Sequence, residues 1–347
     1  MRNIVKALCF YDHGELDVLC YDDVPDPEPG PGQVLVRVRA CALNHLDVWV
    51  RRGWPGLKLE MPHWTGADVA GEVAALGEGY TRWEVGQRLL DEPGICTFED
   101  EFTRRGEHSL SPGYCVVGED IRGGQAEYIA VSATGLMPIP EGWDFCQAAA
   151  PLLVSLTAWR MLIHRAGLRA GESVLVIGAG GGVNSMAIQI AKLAGATVYA
   201  LTSTEKKKEM AHELGADVVL NYREDPRWSK TLYKMTDRRG VDVVVDNVGQ
   251  ATLAQSLRAV ARGGRIVIVG NTSGPRTEID VRFIFGKQIS IIGSTMGTPQ
   301  DLRDVMALIW AGKLRPVVDR VVPLSEGRAA FEALERGEQF GKIVLVP

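Results

Sequence analysis

One stretch of the sequence, Ser173–Gly195, constrains the fold of this chain more than any other. It begins with a short apolar run, Val174–Ile177, and continues through Gly178–Gly182, in which four of the five residues are glycine. Apolar residues then recur at spacings of three and four. This pattern predicts a strand, a glycine turn and a helix, which together present backbone N–H groups to a dinucleotide pyrophosphate. Plain tight turns also use glycine, so the motif alone leaves both interpretations open.

Composition narrows the class of protein. With 347 residues the chain is long enough for two domains, or one large domain, and for a core that needs neither disulfides nor metal. Hydrophobic residues make up 46% of it and charged residues 23%, as is typical of globular proteins. The formal net charge of −5 argues against a nucleic-acid partner, because a protein that binds phosphates needs a basic surface.

Cysteine usage and hydropathy predict the compartment. The six cysteines are scattered and form no CxxC pair, which indicates reduced thiols and predicts a cytoplasmic protein. The N-terminal segment interrupts its apolar residues with charges, so we expect no signal peptide. No run approaches about 18 uncharged apolar residues, so we also expect no membrane-spanning helix.

The pattern of elements changes near Pro140. Before it, short strands lie between Gly/Pro turns, at Val34–Ala40, Val69–Leu76 and Gln125–Val131, and residues 89–118 form an irregular surface lobe. After it, a helix is predicted over residues 144–165, broken near Pro151, and strands then alternate with helices. The strands are Val174–Ile177, Thr197–Leu201, Asp217–Asn221, Val241–Val245, Arg265–Val269 and Ile289–Gly293, and helices include Glu205–Leu214 and Thr252–Ala261. This alternation predicts a parallel sheet covered by helices on both faces. The tail adds a helix, Asp301–Ala311, and a closing strand, Lys342–Val346.

The residues after the second strand of that sheet indicate which dinucleotide is preferred. Folds selective for NAD place Asp or Glu there to bind the ribose 2′-hydroxyl. Here the strand is followed by Thr202, Ser203 and Thr204, and then by Lys206–Lys208. Hydroxyl groups and lysines suit a 2′-phosphate, which needs donors and positive charge, and so predict NADP(H). A compatible alternative is that Ser203 and Thr204 cap a helix whose solvated face carries the lysines.

Motifs spread over nearly the whole chain resemble those of one family. They are CALNHLDVWVRRG at 41–53, GADVAGEV at 66–73, GGQAEYIAV, LTAWRML, the glycine turn, LGADVVLNYRE, DNVG, GGRIVIVGNTSG and the final GKIVL. The chain resembles the medium-chain dehydrogenase/reductase superfamily, and most closely its zinc-free quinone oxidoreductase-like branch, a degenerate form of zinc-binding alcohol dehydrogenase. The resemblance implies an α/β chain. A GroES-like β-rich catalytic domain would span residues 1–143 and 295–347, a Rossmann doubly wound parallel sheet residues 144–294, and the substrate cleft would lie between them.

The resemblance also implies the residues of a cofactor site. The pyrophosphate would lie against Gly178, Gly180, Gly181, Gly182 and Val183. The 2′-phosphate would be surrounded by Ser203, Lys207 and Tyr222, and the nicotinamide half by Thr157, Asn247 and Asn271. One position departs from the family pattern, which usually has glycine where this chain has Asn184. We expect this side chain to occupy space where the helix and the cofactor approach closely.

The same resemblance predicts that the catalytic metal is missing. Zinc-dependent members hold Zn²⁺ with a cysteine, a histidine and a third ligand. The matching positions here are Asn44 and Ala67, and residues 150–157 contain no thiol. Asp47 and Asp68 remain nearby, but two carboxylates without nitrogen or sulfur make a poor zinc site. We therefore expect no catalytic zinc.

A structural zinc is not expected either. The lobe at residues 89–118 contains only Cys96 and Cys115, where zinc-bearing relatives have four closely spaced cysteines. His63 lies four residues before Ala67, and we interpret it as a surface or cleft histidine rather than a displaced ligand.

For a member of this family without a metal, the resemblance implies hydride transfer from NADPH to a conjugated acceptor. The oxygen of that acceptor takes up the negative charge. Hydrogen-bond donors can stabilise such an oxyanion. We identify Asn44 and His45 as candidate donors, with His45 or water returning the proton, and Asp47 as a residue that orients its neighbours. Alternatively, Asn44 is a turn-forming amide and His45 contacts the pyrophosphate.

The sequence therefore predicts a zinc-independent, NADPH-dependent oxidoreductase that reduces quinones or α,β-unsaturated carbonyl or enoyl compounds. Two other functions stay open: an alcohol or aldehyde dehydrogenase with an altered metal site, and a non-catalytic NADPH-binding protein. The resemblance implies a homodimer or homotetramer that associates through the apolar edge strand Ile289–Ser294. We expect a small-molecule substrate, and neither a nucleic acid nor a membrane, as the other partner.

Overall fold

The computed structural model describes residues 4–79 and 82–347. Strands dominate its first part and alternate with helices after residue 170. In chain order the strands are β1 (Ile4–Cys9), β2 (Cys20–Pro25), β3 (Gln33–Ala42), β4 (Asp68–Leu76), β5 (Arg88–Asp91), β6 (Gly94–Cys96), β7 (Tyr114–Val116), β8 (Tyr128–Ser132), β9 (Leu136–Pro138), β10 (Ser173–Ile177), β11 (Thr197–Thr202), β12 (Val218–Asn221), β13 (Val241–Val245), β14 (Val260–Ile268), β15 (Ser290–Gly293), β16 (Val318–Pro323) and β17 (Lys342–Val346).

Helices connect most of the later strands. They are α1 (His45–Arg52), α2 (Glu101–Arg104), α3 (Phe145–Ala149), α4 (Leu152–Trp159), α5 (Gly182–Leu193), α6 (Glu205–Glu213), α7 (Trp228–Met235), α8 (Leu253–Ala259), α9 (Val281–Lys287), α10 (Pro299–Trp310) and α11 (Gly327–Glu335). A π-helical segment, Arg160–Arg165, continues α4.

The chain divides into two compact units. The first unit comprises Met1–Leu153, Thr298–Arg303 and Pro316–Pro347, and the second comprises Val154–Gly297 and Asp304–Arg315. Each unit has its own sheet, and each is described here by itself.

The first unit is built on a sheet in which β16, β17, β3, β4, β5 and β9 are neighbours in that order, while β8 also pairs with β3. Val34, Val36 and Val38 of β3 all point into the core, because alternate side chains of a strand share one face. β17 pairs antiparallel with β3, and the Leu43 N–H donates to the Ile343 carbonyl over 2.9 Å. The closing strand of the chain therefore lies beside the segment that leads into α1.

The second unit is a six-stranded parallel sheet with the order β12-β11-β10-β13-β14-β15. Numbered from its own first strand this order is 3-2-1-4-5-6, the doubly wound arrangement that binds dinucleotides where the strand order reverses. Its central strand is fully buried at Val174, Leu175 and Val176, as expected for a sheet covered on both faces. The α/β fold class predicted from the sequence is confirmed.

Several predicted elements needed correction. The strand predicted over Gln125–Val131 begins later, at Tyr128, and the one predicted over Arg265–Val269 is part of the longer β14. The pairing of β14 with β13 shifts register between Val241 and Val243, because the Arg262–Gly264 segment, with two glycines, bulges out of the ladder. The tail contains a second helix, α11, that was not predicted.

One helical run bears on the expectation that no helix spans a membrane, and that expectation stays a prediction. The helical run Phe145–Arg165 has 21 residues and a mean hydropathy of 1.3, so by length and composition alone it could cross a membrane. However, 78% of its apolar window is buried inside the protein, which is also true of core helices in globular proteins. By itself, this run is weak evidence for a membrane span.

Candidate active site and cofactor site

The start of α1 carries the three residues predicted to take part in chemistry. Asn44 occupies the N-cap position, and the Asp47 carboxylate accepts a hydrogen bond from the Asn44 backbone N–H over 2.7 Å. The second oxygen of Asp47 accepts from the Gly66 N–H over 3.0 Å. An acidic residue three positions after an N-cap commonly satisfies backbone donors in this way. Asp47 thus ties the first turn of α1 to the segment that precedes β4.

The Asn44 side chain belongs to a buried polar network with Asp68 of β4 and Lys342 of β17. Asn44 Nδ2 donates to Asp68 Oδ2 over 2.9 Å, and Lys342 Nζ donates to Asn44 Oδ1 over 2.5 Å. Lys342 Nζ also donates to Asp68 Oδ2 over 2.9 Å. Asp68 is 0% exposed and Lys342 is 4% exposed. The ammonium and the carboxylate neutralise one another, which is the condition for burying either charge.

The remaining hydrogen-bonding capacity of this network is also used. Asp68 Oδ1 accepts from the backbone N–H of Leu153, near the start of α4, over 2.7 Å. Asn44 Nδ2 makes a longer contact, 3.4 Å, with the Ala42 carbonyl. Asn44 therefore directs its amide toward Asp68, Lys342 and the backbone, and its geometry is that of a residue that holds the network together.

This arrangement bears directly on whether zinc could bind. The position that the resemblance assigns to the metal is lined by an amide, by Ala67 and by a carboxylate already paired with the Lys342 ammonium. Zn²⁺ prefers thiolate and imidazole ligands, and a resident cation repels a second one. Within residues 4–79 and 82–347, no group of three His, Cys, Asp or Glu side chains is arranged to hold a metal ion. The residues around Asp68 do not fit a zinc ion.

His45 follows Asn44 at the first position of α1 and is partly buried. Burial, with a smaller effect of the Lys342 charge, lowers the pKa of His45 to about 4. The imidazole is therefore neutral near pH 7, where it can donate one N–H hydrogen bond and accept another. Burial raises the pKa of Asp47 to about 6, against the opposing effects of the Asn44 N–H, Lys342 and Thr65.

Two other sequence interpretations concern histidine and cysteine. His63 was interpreted as a surface or cleft residue, but it is 1% exposed and its Nε2 lies 3.2 Å from the Gly118 carbonyl. His63 is therefore not a surface residue, because the Phe10–His63 bridge draws it into the core, but it does line a cavity together with Trp64 and Arg122. Cys96 and Cys115 lie on the neighbouring strands β6 and β7, in different paired positions of that ladder.

In the second unit, most predicted cofactor residues follow the carboxyl ends of adjacent parallel strands. Ser203 follows β11, Tyr222 follows β12, Asn247 follows β13 and Asn271 follows β14. Backbone hydrogen bonds join these segments: the Tyr222 N–H donates to the Thr202 carbonyl over 3.0 Å, and the Thr272 N–H to the Asn247 carbonyl over 3.3 Å. The structure thus gathers this group at one edge of the sheet. Thr157 lies on α4 instead, and its hydroxyl is buried.

The glycine turn, formed by Gly178, Gly180, Gly181, Gly182 and Val183, joins β10 to α5. The N–H groups of Gly178 and Ala179 donate to the Leu201 carbonyl of β11 over 3.1 and 2.8 Å, which anchors the turn to the neighbouring strand. Gly178 adopts a φ of 81°, a conformation that favours glycine. Because the first N–H groups of a helix have no partner within it, the start of α5 fits an anionic pyrophosphate.

The two hydroxyl groups of Ser203 and Thr204, which follow β11, have different roles. Thr204 caps α6, accepting a hydrogen bond from the Lys207 N–H over 3.2 Å. Ser203 is partly exposed, and its hydroxyl forms no hydrogen bond with any residue that the structure describes. Capping therefore occupies Thr204 and leaves the Ser203 hydroxyl available to a ligand.

Hydrogen bonds within the protein hold the Asn184 side chain. Its side chain folds beneath the turn, where Nδ2 donates to the carbonyls of Ile177 and Gly178, each over 2.8 Å. Its Oδ1 accepts from Asn247 Nδ2 over 2.7 Å. Asn184 thus connects the glycine turn to the residue that follows β13.

Sequence reasoning missed two residues that shape these sites. Lys342 was treated only as the first residue of a closing strand, although a lysine inside the apolar GKIVL motif is a signal that its charge needs a partner. Asp246 was quoted only within the DNVG motif. Its carboxylate, 0% exposed, accepts from the N–H groups of Val248 and Gly249 and from the hydroxyls of Thr252 and Ser256, and so builds the turn that carries Asn247.

Comparisons with known proteins match both halves of the chain. Residues 30–141 match the family described as alcohol dehydrogenase GroES-like domain, and residues 182–311 match the family described as zinc-binding dehydrogenase. The quinone oxidoreductase of Homo sapiens is 31% identical over 353 residues, covering 99% of this chain and 98% of the relative. The crotonyl-CoA reductase of Streptomyces avermitilis is 30% identical, covering 93% and 80%.

A solved structure described as an NAD-dependent alcohol dehydrogenase is 41% identical, covers 99% of both chains and superposes with a TM-score of 0.94. A GroES-like unit and a doubly wound parallel sheet, each at the expected place in the chain, define a nicotinamide-dependent dehydrogenase or reductase. The chain belongs to the medium-chain dehydrogenase/reductase superfamily.

The buried ion pair generates a stability prediction. Replacing Lys342 by Met leaves the Asp68 carboxylate buried without its counter-charge, so we expect the free energy of unfolding to fall by about 3–5 kcal/mol in urea titrations. The double variant Lys342→Met with Asp68→Asn removes both charges and should recover much of the loss. Lys192→Met, which breaks the exposed 2.6 Å pair with Asp217, is the matched control and should cost at most about 1 kcal/mol. Equal losses in Lys342→Met and Lys192→Met would refute the prediction.

His45 generates a prediction about pH. Its pKa is depressed in the folded state, so its contribution to stability is complete above about pH 6.5 and is lost as the pH falls toward 4, where the unfolded chain takes up the proton first. His45→Gln keeps a polar amide without titrating. Between pH 7.5 and 5.0, the free energy of unfolding should therefore fall more in the wild type than in His45→Gln, by about 1–2 kcal/mol. Parallel curves for the two proteins would show that His45 titrates normally.

Proposed function

We propose that this chain is a zinc-independent, NADP(H)-dependent oxidoreductase that reduces quinones or α,β-unsaturated carbonyl and enoyl compounds. The observation that carries the proposal is the Lys342–Asp68–Asn44 network, because an internal ammonium pairs with the carboxylate at the position that the resemblance assigns to the metal. Conjugated acceptors suit such a site, since delocalisation carries the negative charge to an oxygen that hydrogen bonds can stabilise.

The second unit supports a bound dinucleotide. Backbone N–H groups at the start of α5 would hold the pyrophosphate, and Ser203, Lys207 and Tyr222 would hold a 2′-phosphate. No acidic residue follows β11 directly; the first is Glu205, on α6. Bound NADPH would supply the hydride, and Asn247, Asn271 and Thr157 would surround its nicotinamide half.

In the first unit, Asn44 and Asp47 have a positioning role, and His45 is the residue that would form a hydrogen bond with the substrate. Asn44 and Asp47 hold the first turn of α1 in place, because their polar atoms already bond within the protein. The neutral His45 imidazole is then the candidate donor to the acceptor's oxygen. The proton that completes the reduction would come through His45 from water, since an imidazole with a pKa of about 4 does not store a proton near pH 7.

The relatives support this choice of substrates without deciding it. Two of them are named for a quinone and for crotonyl-CoA, both conjugated acceptors. The solved structure at 41% identity favours a second candidate, an NAD-dependent alcohol dehydrogenase that would need a different site for any metal.

We further propose that the protein acts as a cytoplasmic homodimer or homotetramer. β15 is the edge strand of its sheet, with β14 as its neighbour. Exposed apolar side chains on β15 and the preceding α9 support association through this edge: Ile291, Val281 and Phe285 are 38%, 60% and 69% exposed. All six cysteines are free thiols, as a reducing compartment requires.

The proposal predicts that the purified protein oxidises NADPH with quinones, enals or enoyl thioesters and contains no stoichiometric zinc by elemental analysis. We expect Ser203→Ala with Lys207→Met to raise the KM for NADPH roughly 10-fold and leave that for NADH unchanged, because only NADPH has the 2′-phosphate. Lys206→Met, at an exposed neighbouring lysine, is the control.

Three outcomes would contradict the proposal. Chelator-sensitive ethanol oxidation with near one zinc per chain would support the alcohol dehydrogenase. NADPH binding without oxidation across the whole panel would indicate a non-catalytic protein. A preference for NADH would overturn the assignment of the 2′-phosphate site.

A further inference from the structure

We propose that Asn184 is a positioning residue that orients the Asn247 side chain, so that Asn247 Oδ1 accepts a hydrogen bond from the carboxamide N–H of the bound nicotinamide. The inference rests on the cofactor site proposed above. It adds Asn184 to that site and states which atom of the Asn247 side chain faces the nicotinamide. It starts from the position where this chain has asparagine in place of the family's usual glycine.

Backbone carbonyls dictate which way the Asn184 amide faces. Asn184 Nδ2 lies 2.8 Å from both the Ile177 and the Gly178 carbonyl oxygens. A carbonyl oxygen can only accept, so the NH₂ group of Asn184, and not its oxygen, must occupy this place. Both N–H groups are used there, and Asn184 Oδ1 is forced to the opposite side.

The glycine turn is shaped around this amide. A Cβ added at Gly178 or at Gly181 would lie 3.3 Å from Asn184 Nδ2, closer than most real Cβ contacts. Asn184 therefore fills the space beneath the glycine turn, and its side-chain amide has little freedom to flip. Its orientation is a consequence of the fold and does not depend on a ligand.

The orientation of the Asn184 side chain determines that of the Asn247 side chain. Because Asn184 presents only an acceptor, Asn247 must present its NH₂ group, and the two atoms lie 2.7 Å apart. Asn247 Oδ1 then faces away from Asn184. That oxygen is buried and has no hydrogen-bond partner among the residues the structure describes. A buried acceptor without a partner costs free energy, which a ligand that supplies a donor would recover.

The topology indicates which part of the cofactor can supply this donor. Dinucleotides bind across the point where the strand order reverses, which here lies between β10 and β13. Ser203 follows β11, on the adenosine side of this point, and Asn247 follows β13, on the nicotinamide side. Phosphate oxygens only accept, so they cannot pair with Asn247 Oδ1. On the nicotinamide half both the ribose hydroxyls and the carboxamide NH₂ group can donate to this acceptor. We assign the carboxamide, and the comparison of two ligands below distinguishes it from the ribose.

The test compares two ligands that differ in this donor. NADP⁺ and its 3-acetylpyridine analogue, in which a methyl group replaces the amide NH₂, are titrated calorimetrically into the full-length protein. We expect the wild type to bind NADP⁺ roughly 10-fold more tightly than the analogue. Asn247→Ala should bring the two dissociation constants close together, because the acceptor is gone. Asn184→Gly should do the same, although residue 184 is not expected to contact the ring, because the Asn247 amide becomes free to rotate.

Controls separate this effect from a loss of fold. Ser229→Ala removes a hydrogen bond from the buried Ser229 to Gln255 in the same unit, 3.0 Å long, and should leave the ratio of the two dissociation constants unchanged. Binding of 2′,5′-ADP, which lacks the nicotinamide half, should be the same in all four proteins, and thermal melting verifies that each is folded.

Each remaining outcome is decisive. Equal affinities in the wild type would overturn the assignment of Asn247 Oδ1, and an unchanged ratio in Asn184→Gly would overturn the role of Asn184. If NAD⁺ binds more tightly than NADP⁺, the same comparison with NAD⁺ and its 3-acetylpyridine analogue tests this inference, while the proposed preference for NADP(H) fails separately. No binding of either dinucleotide would overturn both.

Discussion

The ion pair between Lys342 and Asp68 is the interaction on which the first unit's candidate site depends. The two residues are 274 positions apart in the chain, and both are almost completely buried. Neither charge could be buried alone, because the desolvation of an unpaired ion exceeds what packing returns. Their pairing requires β17 to lie beside β3, and it holds Asn44 at the N-cap of α1. The end of the chain is therefore part of the site formed near its beginning.

A different constraint organises the second unit. In a parallel sheet all carboxyl ends lie at one edge, so the residues that follow β10–β14 meet although they are far apart in sequence. Buried carboxylate and amide groups then set the loops at this edge. Asp246 holds the turn after β13, and Asn184 joins that turn to the glycine turn after β10. Asp246 and Asn184 each act by forming hydrogen bonds with backbone N–H or carbonyl groups that the turns leave without a backbone partner.

Local pattern was enough to predict much of the fold but little of the polar detail. The strand, glycine turn and helix around Gly178 follow from short-range periodicity, which explains why β10 and α5 were found. Lys342 could not be connected to Asp68 in this way, because no local pattern reports on a partner 274 residues away. Asn184 was noticed as a departure from the family. Its direction depends on two carbonyl oxygens whose positions only the folded turn defines.

We propose that the Lys342 ammonium stands at the position that the family resemblance assigns to the metal of zinc-dependent members. X-ray diffraction at the zinc absorption edge, from crystals of the full-length protein grown with Zn²⁺, tests it most directly. We expect no anomalous peak within bonding distance of Asp68, and we expect Lys342 Nζ to be hydrogen-bonded to both Asp68 and Asn44. A zinc peak bonded to Asp68, with Lys342 turned away from it, would contradict this proposal.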